Sequence, residues 1–241
     1  MGIKLTIQIP CFNEQDALRD TLCDLPRSIE GLDVIDVLII DDGSTDKTVE
    51  VARLAGVDYI LSLKGHRGLA VAFAVGLDRC LSEGADIVVN IDADNQYKGE
   101  DIPRLIAPIL RGEADIVIGN RDIPAIKHFS PLKKFLQRFG SAVVKFLSGL
   151  DIPDATTGFR AYSKKAVDLL EVKTTFSYTL ETIIDAGRKG LRVANIQVST
   201  NPPLRPSRLA RSDAEYILKQ VLTLFQVIIN TFKIKLKKLF F

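Results

Sequence analysis

The residues best placed to do chemistry stand together at Asp92-Ala93-Asp94-Asn95-Gln96, directly after the apolar run Ile87-Val88-Val89-Asn90-Ile91. Two carboxylates at alternate positions, with a carboxamide two residues on, are hard oxygen donors. They suit Mg²⁺ or Mn²⁺, which take one or two carboxylates and leave other positions to water and phosphate. Burying two such charges side by side is costly unless a cation sits between them. An Asp-x-Asp alone equally describes a pair of solvated turn aspartates, so the other residues brought to the same place decide. Further acids follow apolar runs at Glu14 and at Asp41-Asp42.

The elements that must position these groups are legible as apolar runs. Leu5–Pro10, Val34–Ile40, Tyr59–Leu63, Asp86–Ile91, Asp115–Gly119, Thr157–Tyr162 and Val193–Val198 read as strands, rich in Val and Ile where both faces are buried. Helices are expected from Asn13 or Glu14 to Leu25 and over Lys47–Ala55, Leu69–Glu83, Asp101–Arg111, Leu132–Leu147, Ser163–Leu170 and Tyr178–Lys189. Asp46 or Thr45 caps the second of these and Gly190 closes the last. Ala85-Asp86-Ile87-Val88-Val89 is built again as Ala114-Asp115-Ile116-Val117-Ile118, one construction used twice. Alternating strands and helices mean an α/β fold with a mostly parallel sheet and right-handed crossovers, flanked by helices. In such folds ligands bind at the carboxyl edge, where these acids lie.

Composition narrows the classes. The chain has 241 residues, 46% apolar and 26% charged, with a net charge of +2, too balanced for general binding to nucleic acid. Cys11, Cys23 and Cys80 have no metal-ligand spacing and read as small core residues in a reducing compartment. The first residues enter a strand pattern at once, so no signal peptide is expected. No run reaches the roughly 18 apolar residues of a spanning helix, and the expected location is cytoplasmic, peripheral on the cytoplasmic face of a membrane. Gly-x-Gly-x-x-Gly after the first strand is absent, and so is a P-loop, which argues against dinucleotide and P-loop NTPase sites. A nucleotidyltransferase would need a glycine-rich, lysine-bearing first loop, which is also lacking.

Several segments carry a family resemblance: Pro10-Cys11-Phe12-Asn13-Glu14, Asp41-Asp42-Gly43-Ser44-Thr45-Asp46-Lys47-Thr48, Gly68-Leu69-Ala70 and Asp92-Ala93-Asp94-Asn95-Gln96. Together they resemble the family 2 glycosyltransferases of GT-A (nucleotide-diphospho-sugar transferase) fold. Gly119-Asn120-Arg121, Arg138 and Asp154-Ala155-Thr156-Thr157-Gly158-Phe159-Arg160 narrow the resemblance to the dolichyl or polyprenyl phosphate mannose synthase branch. The resemblance implies that Pro10, Phe12, Glu14, Ile39, Asp41 and Asp42 hold base and ribose, with Phe12 where the family often has Tyr. It implies that Asp92, Ala93, Asp94 and Gln96 surround metal and diphosphate, with Asp94 and Gln96 as direct metal ligands and Asp92 beside them. Arg121, Arg138, Arg205 and Arg208 would meet the acceptor phosphate and the developing diphosphate. Arg205-Pro206-Ser207-Arg208 departs from the family's last basic motif, which has a Gly and a Ser-Lys.

The expected activity is then inverting, metal-dependent transfer of a hexose, mannose from GDP-mannose first, onto a polyprenyl or dolichyl phosphate. An anionic acceptor needs positioning and charge screening rather than a base. The alternative in the same class is a UDP-sugar-dependent transferase for glucose or GlcNAc, acting on polyprenyl phosphate or a saccharide. From another class, the alternative is a non-catalytic nucleotide-sugar-binding subunit. Residues 1–211 form the expected catalytic domain, 1–122 its nucleotide-sugar half and 123–211 its acceptor half. An amphipathic basic helix follows over 212–241. Its stripe (Tyr216, Ile217, Val221, Leu224, Phe225, Ile228, Ile229, Phe232) and its lysines fit an anionic membrane surface, an anchoring subunit or a homodimer.

Overall fold

A computed structural model describes residues 2–123, 131–174 and 177–202, together with 219, 222, 223, 225, 226 and 229. Among these, seven strands form one sheet: β1 (Lys4–Cys11), β2 (Val34–Asp41), β3 (Tyr59–Ser62), β4 (Ile87–Asn90), β5 (Ile116–Arg121), β6 (Arg160–Ser163) and β7 (Val193–Val198). Their order across the sheet is β3-β2-β1-β4-β6-β5-β7. All neighbours run parallel except β6, which is antiparallel to both β4 and β5. The reversal follows from what precedes β6. Its incoming loop is tied by Asp154 to Arg121 at the end of β5, so the strand must run away from the carboxyl edge.

Successive residues of the strands face opposite sides, as the period of two requires. Leu38, Ile40, Val88 and Ile118 pack towards α3 (Leu69–Ser82) and α7 (Thr179–Arg188); Ile39, Val89 and Val117 pack towards α1 (Leu18–Cys23) and α4 (Ile102–Leu110). Each fully buried Val, Leu or Ile contributes about 1.5–3 kcal/mol, and with helices on both faces the sheet has no wet side. The remaining helices are α2 (Thr48–Leu54), α5 (Pro131–Ser148) and α6 (Lys164–Leu169). Ser163 caps α6 by accepting from Ala166 N, and Gly190 turns the chain after α7 at φ +67°. Among the described residues no helix is long and apolar enough to cross a membrane.

Most expected elements stand within about two residues of their positions. The first helix is the exception, because it begins at Leu18 rather than at Asn13 or Glu14. Asn13 adopts φ +58°, and its side-chain oxygen accepts from Thr45 N and Asp46 N, while Glu14 N donates to Thr48 Oγ1. These residues knit the end of β1 to the turn after β2, which leaves them out of a helix. The strand at Thr157 also starts late, at Arg160. The C-terminal helix falls mostly outside the described residues. Of its stripe, Phe225 and Ile229 are described, both helical and exposed.

Candidate active site

Three adjacent parallel strands, β2, β1 and β4, end on the same edge and deliver Asp41 with Asp42, Glu14, and Asp92 with Asp94 to one place. The turn after β2 is held by Asp41, whose carboxylate accepts from Ser44 N at 2.9 Å, and by Ser44 Oγ, which accepts from Asn13 N at 2.9 Å. Asp42 is committed to the neighbouring loop. Its two oxygens accept from Arg67 N (2.7 Å) and Gly68 N (2.8 Å), and His66 Nδ1 lies 2.8 Å away. The His66 ring stacks on Phe12 with centroids 3.9 Å apart, so His66 lines the site. Gly43 permits this approach: a Cβ there would meet the Gly65 carbonyl carbon at 2.6 Å. Ile39 is fully buried and Pro10 is buried, so both lie in the sheet beneath this edge.

The acidic loop expected to hold the metal follows β4. Asn95 takes φ +54°, which brings Asp94 and Gln96 together: Gln96 N donates to Asp94 Oδ1 (3.2 Å) and Gln96 Nε2 to Oδ2 (2.7 Å). A cation bound by Asp94 would displace this amide, and rotating the carboxamide would present its oxygen instead. Beneath the loop, buried Asn90 donates to Gly158 O (2.9 Å) and Tyr178 Oη (2.8 Å) and accepts from Gln8 Nε2 (3.0 Å). Ala93 is buried and its carbonyl accepts from Thr21 Oγ1. Burial, and then the neighbouring Asp94 charge, push the Asp92 carboxyl up to about 7. A carboxyl held up by burial and by a neighbouring acid is what a divalent ion relieves, so the donor set fits Mg²⁺ or Mn²⁺. Among the described residues no three His, Cys, Asp or Glu side chains converge as a full metal cage.

Arg121, at the end of β5, is near enough for its charge to act on Asp92. Arg121 forks onto Asp154 (2.7 and 3.1 Å) and reaches Thr156 Oγ1 at 2.9 Å. Burial would raise Asp154, but the Arg121 charge and its hydrogen bonds hold it below the usual carboxylate range. Arg160, 1% exposed, donates to the carbonyls of Thr157, Thr179 and Ala155 and to Thr182 Oγ1. It is an internal strut of the loop that carries Asp154. Glu181, buried, accepts from Lys173 N and Thr174 N. Arg138 is exposed on α5, while Arg205 and Arg208 lie outside the described residues. Burial raises the Cys11 thiol well above its usual range, which excludes an activated thiolate.

Two close neighbours of Asp92 do not follow from the motifs alone. A Cβ on Gly158 would lie 2.6 Å from Asp92 Oδ1 and 3.0 Å from Tyr178 Oη. Tyr178 itself stacks on Phe73 in the core, centroids 3.6 Å apart. Gly158 lies within the Asp154–Arg160 motif and Tyr178 looks in sequence like an ordinary helix start, but neither shows that it sits against Asp92. The antiparallel pairing of β6 with β4 brings Gly158 beside Asp92, and the start of α7 brings Tyr178 to the same place.

Residues 6–170 match the model of Glycosyl transferase family 2. The chain belongs to this family. It is 30% identical over 205 residues to an undecaprenyl-phosphate mannosyltransferase of Micrococcus luteus, covering 81% of this chain and 82% of that one. Against the UDP-N-acetylglucosamine–dolichyl-phosphate N-acetylglucosaminyltransferase of Methanococcus voltae it is 26% identical, over 80% and 83% of the two chains. Its fold matches glucosyl-3-phosphoglycerate synthase from Mycobacterium tuberculosis, crystallised with Mn²⁺, UDP-glucose and phosphoglyceric acid. There the TM-score is 0.73 at 20% identity, over 92% of this chain and 79% of that one. The GT-A-like α/β fold, with its mixed, mostly parallel sheet flanked by helices, is thereby established. The expected divalent cation agrees with these structures, which hold Mn²⁺ or, in another complex of the same enzyme, Mg²⁺ with UDP.

The narrower expectation is corrected by the same findings. Neither the dolichyl or polyprenyl phosphate mannose synthase branch, nor GDP-mannose as donor, nor a polyprenyl or dolichyl phosphate as acceptor is what these structures carry. They hold UDP or UDP-glucose with phosphoglyceric acid, or UDP with glucosyl-3-phosphoglycerate. The sequence relatives themselves differ in the sugar they are named for. The physical reason lies in what the shared motifs recognise. Acidic strand ends meet ribose and metal, and arginines meet any phosphate, so neither set distinguishes a base, a sugar or the body of an acceptor.

Proposed function

We propose that this glycosyl transferase moves a sugar from a UDP-sugar, UDP-glucose first, to a small phosphate-bearing acceptor such as phosphoglyceric acid, with Mn²⁺ or Mg²⁺. The observation that carries the reading is the pairing of Asp94 with Gln96 beside Asp92, on which the charge of the Asp154-paired Arg121 also acts. Phe12, Glu14 and Asp41 would meet base and ribose, over Pro10 and Ile39, with Asp42 holding the loop beside them. Asp94 and Gln96, with Asp92 beside them, would hold the cation, which when bound screens the departing diphosphate as a Lewis acid. As the bond from the anomeric carbon to the diphosphate breaks and one to an acceptor hydroxyl oxygen forms, the hydroxyl proton passes to the departing diphosphate or to water, and the bonding electron pair leaves with UDP. Arg121 lies where an anionic acceptor would be screened and oriented, and Arg138, Arg205 and Arg208 would add to it. On this reading residues 1–122 serve the donor and 123–211 the acceptor.

The test is UDP release from UDP-glucose with Mn²⁺, with and without phosphoglyceric acid. Acceptor-dependent release supports the reading. Transfer only from another nucleotide sugar, or only into a lipid phosphate, overturns it.

A separate feature supports peripheral contact with an anionic bilayer on the cytoplasmic face. Phe135, Phe139 and Phe146 are 63%, 59% and 86% exposed along α5, spaced for one helix side and flanked by exposed Arg138 and Lys145. Flotation with anionic liposomes that weakens with salt is the expected result, and no flotation would remove this feature from the account.

A further inference from the structure

The chain leaving β7 runs along the metal loop and is fastened to it at successive residues. Ser199 N donates to Asp101 Oδ2 at 2.9 Å, and Thr200 forms an isolated antiparallel bridge with Tyr97. Asn201 then makes two bonds: its backbone N donates to Gln96 O at 2.8 Å, and its side-chain Nδ2 to Asn95 O at 3.0 Å. One residue thus holds the carbonyls of both Asn95 and Gln96. Asn95 is in the left-handed region, φ +54°, which a residue with a side chain keeps only where its surroundings fix it. Its own Oδ1 is buried and makes no hydrogen bond, so the side chain of Asn95 does not hold the turn by that atom.

We propose that Asn201 is a positioning residue for the metal loop. Its amide N–H pins the Asn95 carbonyl, fixes the left-handed turn, and so keeps Asp94 and Gln96 facing one point. The proposal rests on the reading of Asp94 and Gln96 as cation donors. It also gives the end of β7 a role in donor binding, although that strand lies at the far end of the sheet order from β2 and β3. Arg205 follows only four residues later in the sequence, so the segment that orders the metal loop leads straight into the acceptor-side arginines.

The experiment is calorimetric titration of UDP in the presence of Mn²⁺, with wild type, Asn201→Ala and Asn201→Asp, alongside the melting temperature of each. Asn201→Asp keeps the size and the backbone bond but sets a carboxylate oxygen against the Asn95 carbonyl. Both variants are expected to bind about five- to tenfold more weakly, the effect of losing one hydrogen bond. Raising Mn²⁺ should restore much of the binding. A purely structural residue would instead lower the melting temperature and leave the affinity of the folded protein unchanged. Wild-type affinity and Mn²⁺ dependence in both variants would overturn the proposal and leave the site reading standing. If wild type itself showed no Mn²⁺-dependent UDP binding, the site reading would fall and this proposal with it.

Discussion

Asp92 and Gly158 meet at a distance that leaves no room for a methyl group. With a Cβ only 2.6 Å from Asp92 Oδ1, Gly158→Ala must displace either the carboxylate or the strand behind it, and overpacking of this kind costs about 1–3 kcal/mol. The expected outcome is a modest fall in melting temperature with a disproportionate loss of Mn²⁺-dependent UDP binding. Unchanged binding would show that Asp92 has slack the geometry does not reveal. The acids themselves were readable from their positions after apolar runs. What Asp42 does was not, because its partners Arg67 N and Gly68 N are backbone groups of a loop some 25 residues away. Likewise the sequence does not show what Arg160 bonds to, because its donors go to carbonyls of Thr157, Thr179 and Ala155 buried around it.

Strands and helices were legible because their apolar periods are strong, and they failed to be legible where side chains compete with the backbone. Asn13 and Glu14 look like a helix start but are spent on the turn at Thr45–Thr48. β6 reads as another strand, while its reversed direction depends on the loop anchored at Arg121. At the opposite end of β5 an ion pair closes the sheet edge. Asp115 accepts from Arg192 N at 2.8 Å and meets the side chains of Arg192 and Lys165. Burial raises this carboxyl, but Arg192 and Lys165 outweigh burial and bring it down to about 2. A carboxyl depressed in the fold contributes stability above its unfolded value near 4, and that contribution is lost as pH falls through about 2. Asp115→Asn should therefore lower the melting temperature at pH 7, with the deficit shrinking between about pH 4 and 2. A deficit that is the same at every pH would mean the loss is one of packing rather than charge.

Across the molecule, one parallel half gathers acids at a sheet edge and the other, entered by a reversed strand, sets an arginine–aspartate pair against them. The overall architecture could be inferred from the alternation of elements. Donor and acceptor identity could not, since the groups that set them are not the ones that make the family recognisable. The exposed phenylalanines of α5 belong to this level too, as a surface the catalytic edge does not need. What the account requires most is that a divalent ion join Asp94 to the diphosphate of a nucleotide. Calorimetry of UDP with Mn²⁺, on wild type and Asp94→Ala, addresses it directly. Wild type should bind UDP only when Mn²⁺ is present, and Asp94→Ala, still folded by its melting curve, should lose that dependence together with at least about a hundredfold in affinity, as expected for removing a charged ligand. Equal, Mn²⁺-dependent binding by the two proteins would contradict the assignment of the metal loop.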